Sequence, residues 1–120
     1  MAERGSEFDF AAFKRAFERK DFDGWVSFYA DDAEWIEYRH FSPPRSPNRM
    51  VGKQQIAEFI HRICGANFGI TIADEVIGVD RVAFSVDCTF LDGKRIFEHV
   101  IAQIENGKIA SQVDVETWDE

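Results

Sequence analysis

Three carboxylates, Glu37, Glu98 and Asp114, are the groups whose surroundings suit them to moving protons, because each falls in a segment otherwise rich in aromatic or β-branched residues. A carboxylate enclosed by apolar side chains loses hydration, so its pKa rises and it becomes a better base toward a proton α to a carbonyl. Glu37 alternates with Trp35 and Arg39. On a strand this spacing sets an aromatic wall and a cation on the same face as the acid. The opposite register would leave Glu37 in solvent or ion-paired to Arg39. Glu98 and Asp114 flank Asn106-Gly107, which places them on adjoining strands of a hairpin, with Gln112 and Glu116 on the face of Asp114. If Val113 and Val115 turn inward instead, Asp114 is merely solvated. Several carboxylates in one cup repel one another, which raises at least one pKa toward neutrality and disfavours a strongly anionic substrate.

Other reactive side chains carry less. His40, His61 and His99 are scattered, and no His/Cys/carboxylate spacing matches a metal site, so neither metal nor cofactor is expected. His99 follows Glu98 but lies on the opposite face of a strand, and His61 follows the apolar Ile60 as a boundary residue of a helix. Cys64 and Cys88 lack C-x-x-C spacing and read as buried thiols in a reducing, cytoplasmic compartment.

The chain has 120 residues, a length that fits one domain spanning 1–120. Twelve Phe and three Trp exceed what a bare core needs, and the surplus points to a lined cavity. Phe13, Phe17, Trp25 and Trp35 are the aromatic candidates for that lining. A formal net charge of −8 removes the basic field that nucleic acid or an anionic membrane requires. No apolar run is long enough to span a bilayer and no signal segment opens the chain. Gly5-Ser6-Glu7-Phe8 reads either as a vector-derived remnant or, through Ser6 and Asp9, as a capping box.

The elements that would position these groups follow from periodicity. Phe10, Phe13 and Phe17 recur at helical spacing over 7–20, and Asp21 can cap a second short helix through Trp25 to Tyr29 that ends at Asp31-Asp32. Residues 34–40 alternate as a strand. Three prolines among residues 43–47 make a loop, a candidate lid running from Phe41 to Arg49. A third helix runs over 53–64, with Ile56, Phe59, Ile60 and Ile63 on one face and Gly65 as its stop. Beyond Asn67 the sequence reads as four strands, 70–79, 82–90, 95–104 and 109–118. Asp92-Gly93 and Asn106-Gly107 are hairpin signals, since both central residues of a type I′ turn need positive φ.

Four segments, Lys20-Asp21-Phe22-Asp23-Gly24-Trp25, Phe28-Tyr29-Ala30-Asp31-Asp32-Ala33, Val51-Gly52-Lys53-Gln54-Gln55-Ile56 and Glu105-Asn106-Gly107-Lys108-Ile109, follow one another in this order. Together they resemble the SnoaL-like and ketosteroid isomerase-like branch of the nuclear transport factor 2-like superfamily. The resemblance implies an α+β fold, a cone-shaped half-barrel with three N-terminal helices packed in a curved, mainly antiparallel sheet. It also implies a pocket for a small apolar ligand and a homodimer joined through the outer face of the sheet. Glu37 falls where the isomerase-like members keep their catalytic carboxylate, and Asp114 matches the carboxylate that cyclases and epoxide hydrolases carry on the last strand. The isomerases' oxyanion-hole tyrosine aligns with Phe13, which cannot donate a hydrogen bond. The aspartate partner of that tyrosine falls at Val100 or at Glu98, depending on how the chain is counted. The expected function is a cofactor-independent acid/base enzyme of isomerase, cyclase or epoxide-hydrolase type, or alternatively a non-catalytic ligand-binding or dimerisation module.

Overall fold

A computed structural model describes residues 7–120. Three helices, α1 (Phe10–Glu18), α2 (Phe22–Val26) and α3 (Lys53–Cys64), pack against six strands: β1 (Tyr29–Tyr38), β2 (Asn48–Val51), β3 (Phe68–Ile77), β4 (Arg81–Phe90), β5 (Arg95–Glu105) and β6 (Lys108–Trp118). The sheet order is β2-β1-β6-β5-β4-β3, antiparallel at every join except β1 with β6. Because β2 and β3 remain as free edges, the mixed sheet is not closed, as the expected α+β half-barrel requires.

Local chemistry accounts for the helices. The Asp9 carboxylate caps α1 by accepting from the Ala12 amide at 3.0 Å, and Phe10, Phe13, Ala16 and Phe17 form its buried stripe. The helix therefore starts later than the periodicity alone implied, and the capping role considered for Ser6 lies outside the described residues. Asp21 caps α2 through the Gly24 amide at 3.2 Å, as expected, but that helix ends at Val26 and the chain is already extended at Tyr29. Gly52 enters α3 at φ +90°, a conformation only glycine adopts without strain. Gly65 does end α3, in the right-handed region rather than the left-handed one.

Two corrections concern strands. Asp31-Asp32 is not a turn but an exposed, irregular stretch inside β1, where the pairing with β6 jumps between Tyr29 and Glu34. The proline segment is shorter than read, since Asn48–Val51 returns as β2 and pairs Asn48 with Glu37 and Met50 with Trp35. The hairpin at Asn106-Gly107 has positive φ at both residues, 52° and 73°, as its turn type demands.

The core lies between the helices and the inner sheet face, with Ile70 and Ile72, Phe84 and Val86, and Ile96, Val100 and Ala102 pointing inward from successive strands. Phe17 stacks on Trp25 with ring centroids 4.0 Å apart, and Tyr29 lies parallel to Trp35 at 5.9 Å, so one aromatic seam joins the helices to β1. Among the described residues, no helix is long and apolar enough to cross a membrane.

Candidate active site

One irregularity decides which side chains of β6 reach the interior. Starting from the buried Ile109, strict alternation would turn Val113 and Val115 inward. The β5–β6 register instead passes from Ile104↔Ile109 to Gln103↔Ser111, so Ala110 is an extra residue on β6. This bulge reverses the phase. Gln112 and Asp114 become buried, at 0% and 1% exposure, while Val115 faces out at 57%. The parallel register of β1 then sets Glu37 beside Asp114 and Trp35 beside Gln112.

Four acids converge as a result. Single carboxylate oxygens of Glu37, Glu98, Asp114 and Glu116 lie within 4.8 Å of one another. Asp114 accepts from the Trp35 indole Nε1 at 2.9 Å and from Gln112 Nε2 at 3.1 Å, and Gln112 Oε1 accepts from the Tyr29 hydroxyl at 2.6 Å. Glu37 Oε1 accepts from Asn48 Nδ2 at 3.1 Å and Arg39 Nη2 at 3.3 Å. The Arg39 guanidinium sits 3.9 Å from Glu116 and stacks over the rings of Phe41 and Trp118, whose own indole donates to Glu116 at 2.7 Å.

One guanidinium cannot balance four buried negative charges, so the cluster holds protons. Burial above all pushes Glu37 up to about 10, helped by a hydrogen bond to Glu116 and by repulsion from Asp114 and Glu116. Burial and then repulsion from Asp114 and Glu116 raise Glu98 well above the usual carboxylate range. Asp114 is also lifted by burial, but bonds from Gln112, Glu98 and Trp35 hold it to about 7. The acids therefore fall into two hydrogen-bonded pairs. Glu98 bears the proton that Asp114 accepts, and Glu37 is the second acid of the cluster that holds its proton. Four close oxygens are a donor set that a hard cation could use only if they were ionised. Ionised, they would suit such a cation; otherwise their charge is met by shared protons and by Arg39.

The cluster forms the polar end of a cavity of about 180 Å³ whose walls include Phe17, Trp35, Phe59, Ile63, Phe68 and Ile96. Glu37, Glu98 and Glu116 touch the cavity, whereas Asp114 stands behind Glu98. Of the residues expected to bind ligand, Phe17, Trp35 and Glu116 line it. Phe13, Trp25, Val100 and Gln112 are instead packed in the core, because α1 and the inner sheet rows close over them. Cys88 lies in the cavity wall with its thiol pushed up to about 12, chiefly by burial. Tyr29, Asn48 and Trp118 were not foreseen. Trp118 could have been, since it shares a strand face with Glu116, whereas Asn48 depends on a four-residue strand.

The sequence matches the SnoaL-like domain family over residues 10–112, and the chain belongs to that family. Asp114 and Glu116 lie just beyond the matched segment. A solved structure from Mesorhizobium loti, a nuclear transport factor 2-like protein of unknown function, superposes with TM-score 0.78 at 14% identity, covering 90% of this chain and 87% of that one. A proposed ketosteroid isomerase from Kribbella flavida gives 0.74 at 16% identity over 92% and 74% of the two chains. A proposed isomerase from Rhodopseudomonas palustris gives 0.70 at 16% identity over 97% and 91%. No curated protein matches the chain.

Proposed function

We propose that this single-domain chain is a cofactor-independent acid/base enzyme that acts on a small, largely apolar compound bearing a carbonyl or an epoxide. The observation that carries this reading is the convergence of Glu37, Glu98 and Glu116 at the end of an apolar cavity, with Asp114 behind Glu98 and held by the neutral donors Trp35 and Gln112. Glu98 faces the substrate and takes a proton on one oxygen while passing its own to Asp114, which acts as the sink. Glu37, protonated on the opposite side, donates to the developing oxyanion or opened epoxide oxygen, and Arg39 beside it limits the build-up of negative charge. Phe17, Trp35 and Phe59 keep bulk water from the cavity; in epoxide opening one bound water attacks the ring carbon and gives Glu98 the proton it takes, as the C–O bond breaks and the ring oxygen is protonated by Glu37.

This assignment replaces the tyrosine donor of the isomerases, whose position holds the buried Phe13. The family's ability to take small hydrophobic ligands and the isomerase descriptions of two structural neighbours agree with it. A homodimer through the outer sheet face is part of the same reading, supported by exposed Phe97, Ile101 and Val115 on that face.

The test uses two probes, deuterium exchange α to the carbonyl of a cyclic ketone and hydration of cyclohexene oxide. Wild-type protein is expected to accelerate one of them, and Asp114→Asn and Glu98→Gln to lower that rate by about 10²- to 10⁴-fold. Saturable binding of the probes with no turnover in wild type would instead support the ligand-binding module.

A further inference from the structure

Asp114 can serve as a proton sink only if its oxygens are held in one orientation and its charge is met by donors, yet among the described residues the cation of the cluster, Arg39, lies against Glu37 and Glu116 rather than against it. Its partners are neutral. Trp35 Nε1 donates to Oδ2 and Gln112 Nε2 donates to Oδ1. An indole can only donate, so Trp35 has no alternative geometry. A carboxamide has two ends, and rotation about its last torsion would present Oε1 to the Asp114 carboxylate and turn a donor into a repulsive acceptor.

What fixes the amide is the phenol behind it. The Tyr29 hydroxyl donates to Gln112 Oε1 at 2.6 Å, and Tyr29 and Gln112 are 1% and 0% exposed, so no water competes for that oxygen. The Tyr29 ring is itself clamped, lying parallel to Trp35 at an interplanar angle of 6°. We infer that Tyr29, which does not line the cavity, is a positioning residue: through Gln112 it sets the donor that keeps Asp114 a competent proton acceptor. Burial keeps the phenol protonated well beyond its ordinary range, so this donor persists at any pH at which the site works. The titratable groups facing Asp114 are Glu98 from β5, Glu37 from β1 and Glu116 from its own strand. Arg39 lies beyond Glu37, and Tyr29 behind Gln112.

The inference rests on the acid/base reading for its purpose but is tested without turnover. The ¹³C carboxyl resonance of Asp114, assigned by its loss in Asp114→Asn, is titrated in wild type, Tyr29→Phe, Gln112→Met and the double variant. Each single variant keeps the volume of the side chain it replaces, and thermal melting checks that all four are folded. The expected result is a rise in the Asp114 midpoint of about one pH unit in Tyr29→Phe and at least as much in Gln112→Met, because a hydrogen bond to the charged form has been removed. The double variant should move no further than Gln112→Met, since Tyr29 acts only through Gln112. An unmoved midpoint in Tyr29→Phe, or shifts that add in the double variant, would overturn the relay and leave Tyr29 a core residue. Absence of turnover toward every probe would sink the enzymatic reading while leaving this titration result standing.

Discussion

Glu98 and Asp114 meet diagonally across the β5–β6 ladder: the residue directly opposite Asp114 is Val100, and Glu98 is opposite Glu116. The directly opposed Glu116 repels Glu98 and favours its protonated form, whereas the diagonal offset lets Glu98 hand its proton to Asp114 while its other oxygen faces the cavity. The two acids are therefore unequal. Glu98→Gln keeps a donor toward Asp114 but cannot relay, and Asp114→Asn removes the sink. Both are expected to lower turnover by about 10²- to 10⁴-fold, but only Asp114→Asn should remove the titration near 7 from the ¹³C spectrum.

Stability should fall as pH rises. The folded-state pKa values of Asp114, Glu98 and Glu37 all lie above their ordinary values of 3.8, 4.5 and 4.5. Groups raised in this way contribute stability that is complete below the unfolded values and is lost as pH climbs through the folded ones. Urea denaturation midpoints are expected to be highest below about pH 4, to fall most steeply up to about 7, where Asp114 ionises, and to keep falling more gently to about 10 with Glu37. Glu37→Gln should flatten the upper part of that profile. A midpoint that rises between pH 5 and 9 would contradict the proton inventory of the cluster.

Trp35→Phe separates packing from hydrogen bonding. The ring face toward Tyr29 is kept, but the Nε1 donor 2.9 Å from Asp114 is lost. The expected cost is about 1.5–3 kcal/mol of folding stability at pH 8, where Asp114 is charged, and much less at pH 5, where it is protonated. Chemical denaturation at the two pH values reads the difference directly.

Phe17 serves both the core and the cavity wall, stacked on Trp25 and only 4% exposed. Phe17→Ala should cost about 3–5 kcal/mol and enlarge the cavity. Binding of a bulkier ketone probe, measured by calorimetry, is expected to improve relative to cyclohexanone even as the melting temperature drops.

Cys88 offers a readout of opening. Its buried thiol, pushed up to about 12, should react with a maleimide far more slowly than the half-buried Cys64 at pH 8, and a bound probe should slow it further. Equal labelling of both thiols would mean that the cavity wall is not closed in solution.

The three helices and the hairpins could be read from the chain because their signals are local: the Phe10, Phe13 and Phe17 stripe, the Asp21 cap and the Asn106-Gly107 turn. The phase of β6 could not, because both of its faces offered plausible residues and the one-residue bulge at Ala110 carries no distinctive side chain. Arg39 was visible as a neighbour of Glu37 at the strand period. Asn48 was hidden, because β2 is short and follows three prolines, so its pairing depends on tertiary contact alone. The parallel join of β1 to β6, which brings Glu37 to Asp114, links segments far apart in sequence and leaves no periodic trace.

That parallel join also orders events during synthesis. The proton-handling cluster draws Glu37 from the first strand and Asp114 and Glu116 from the last, so a ribosome-bound chain that still lacks β6 has no such site at all. Until the final strand slots between β1 and β5, both of those strands present open hydrogen-bonding edges and an uncovered apolar face, the features that attract chaperones and invite mispairing. Insertion of one strand thus closes the sheet's central gap and assembles the four acids together, so the cluster exists only once β6 is in place.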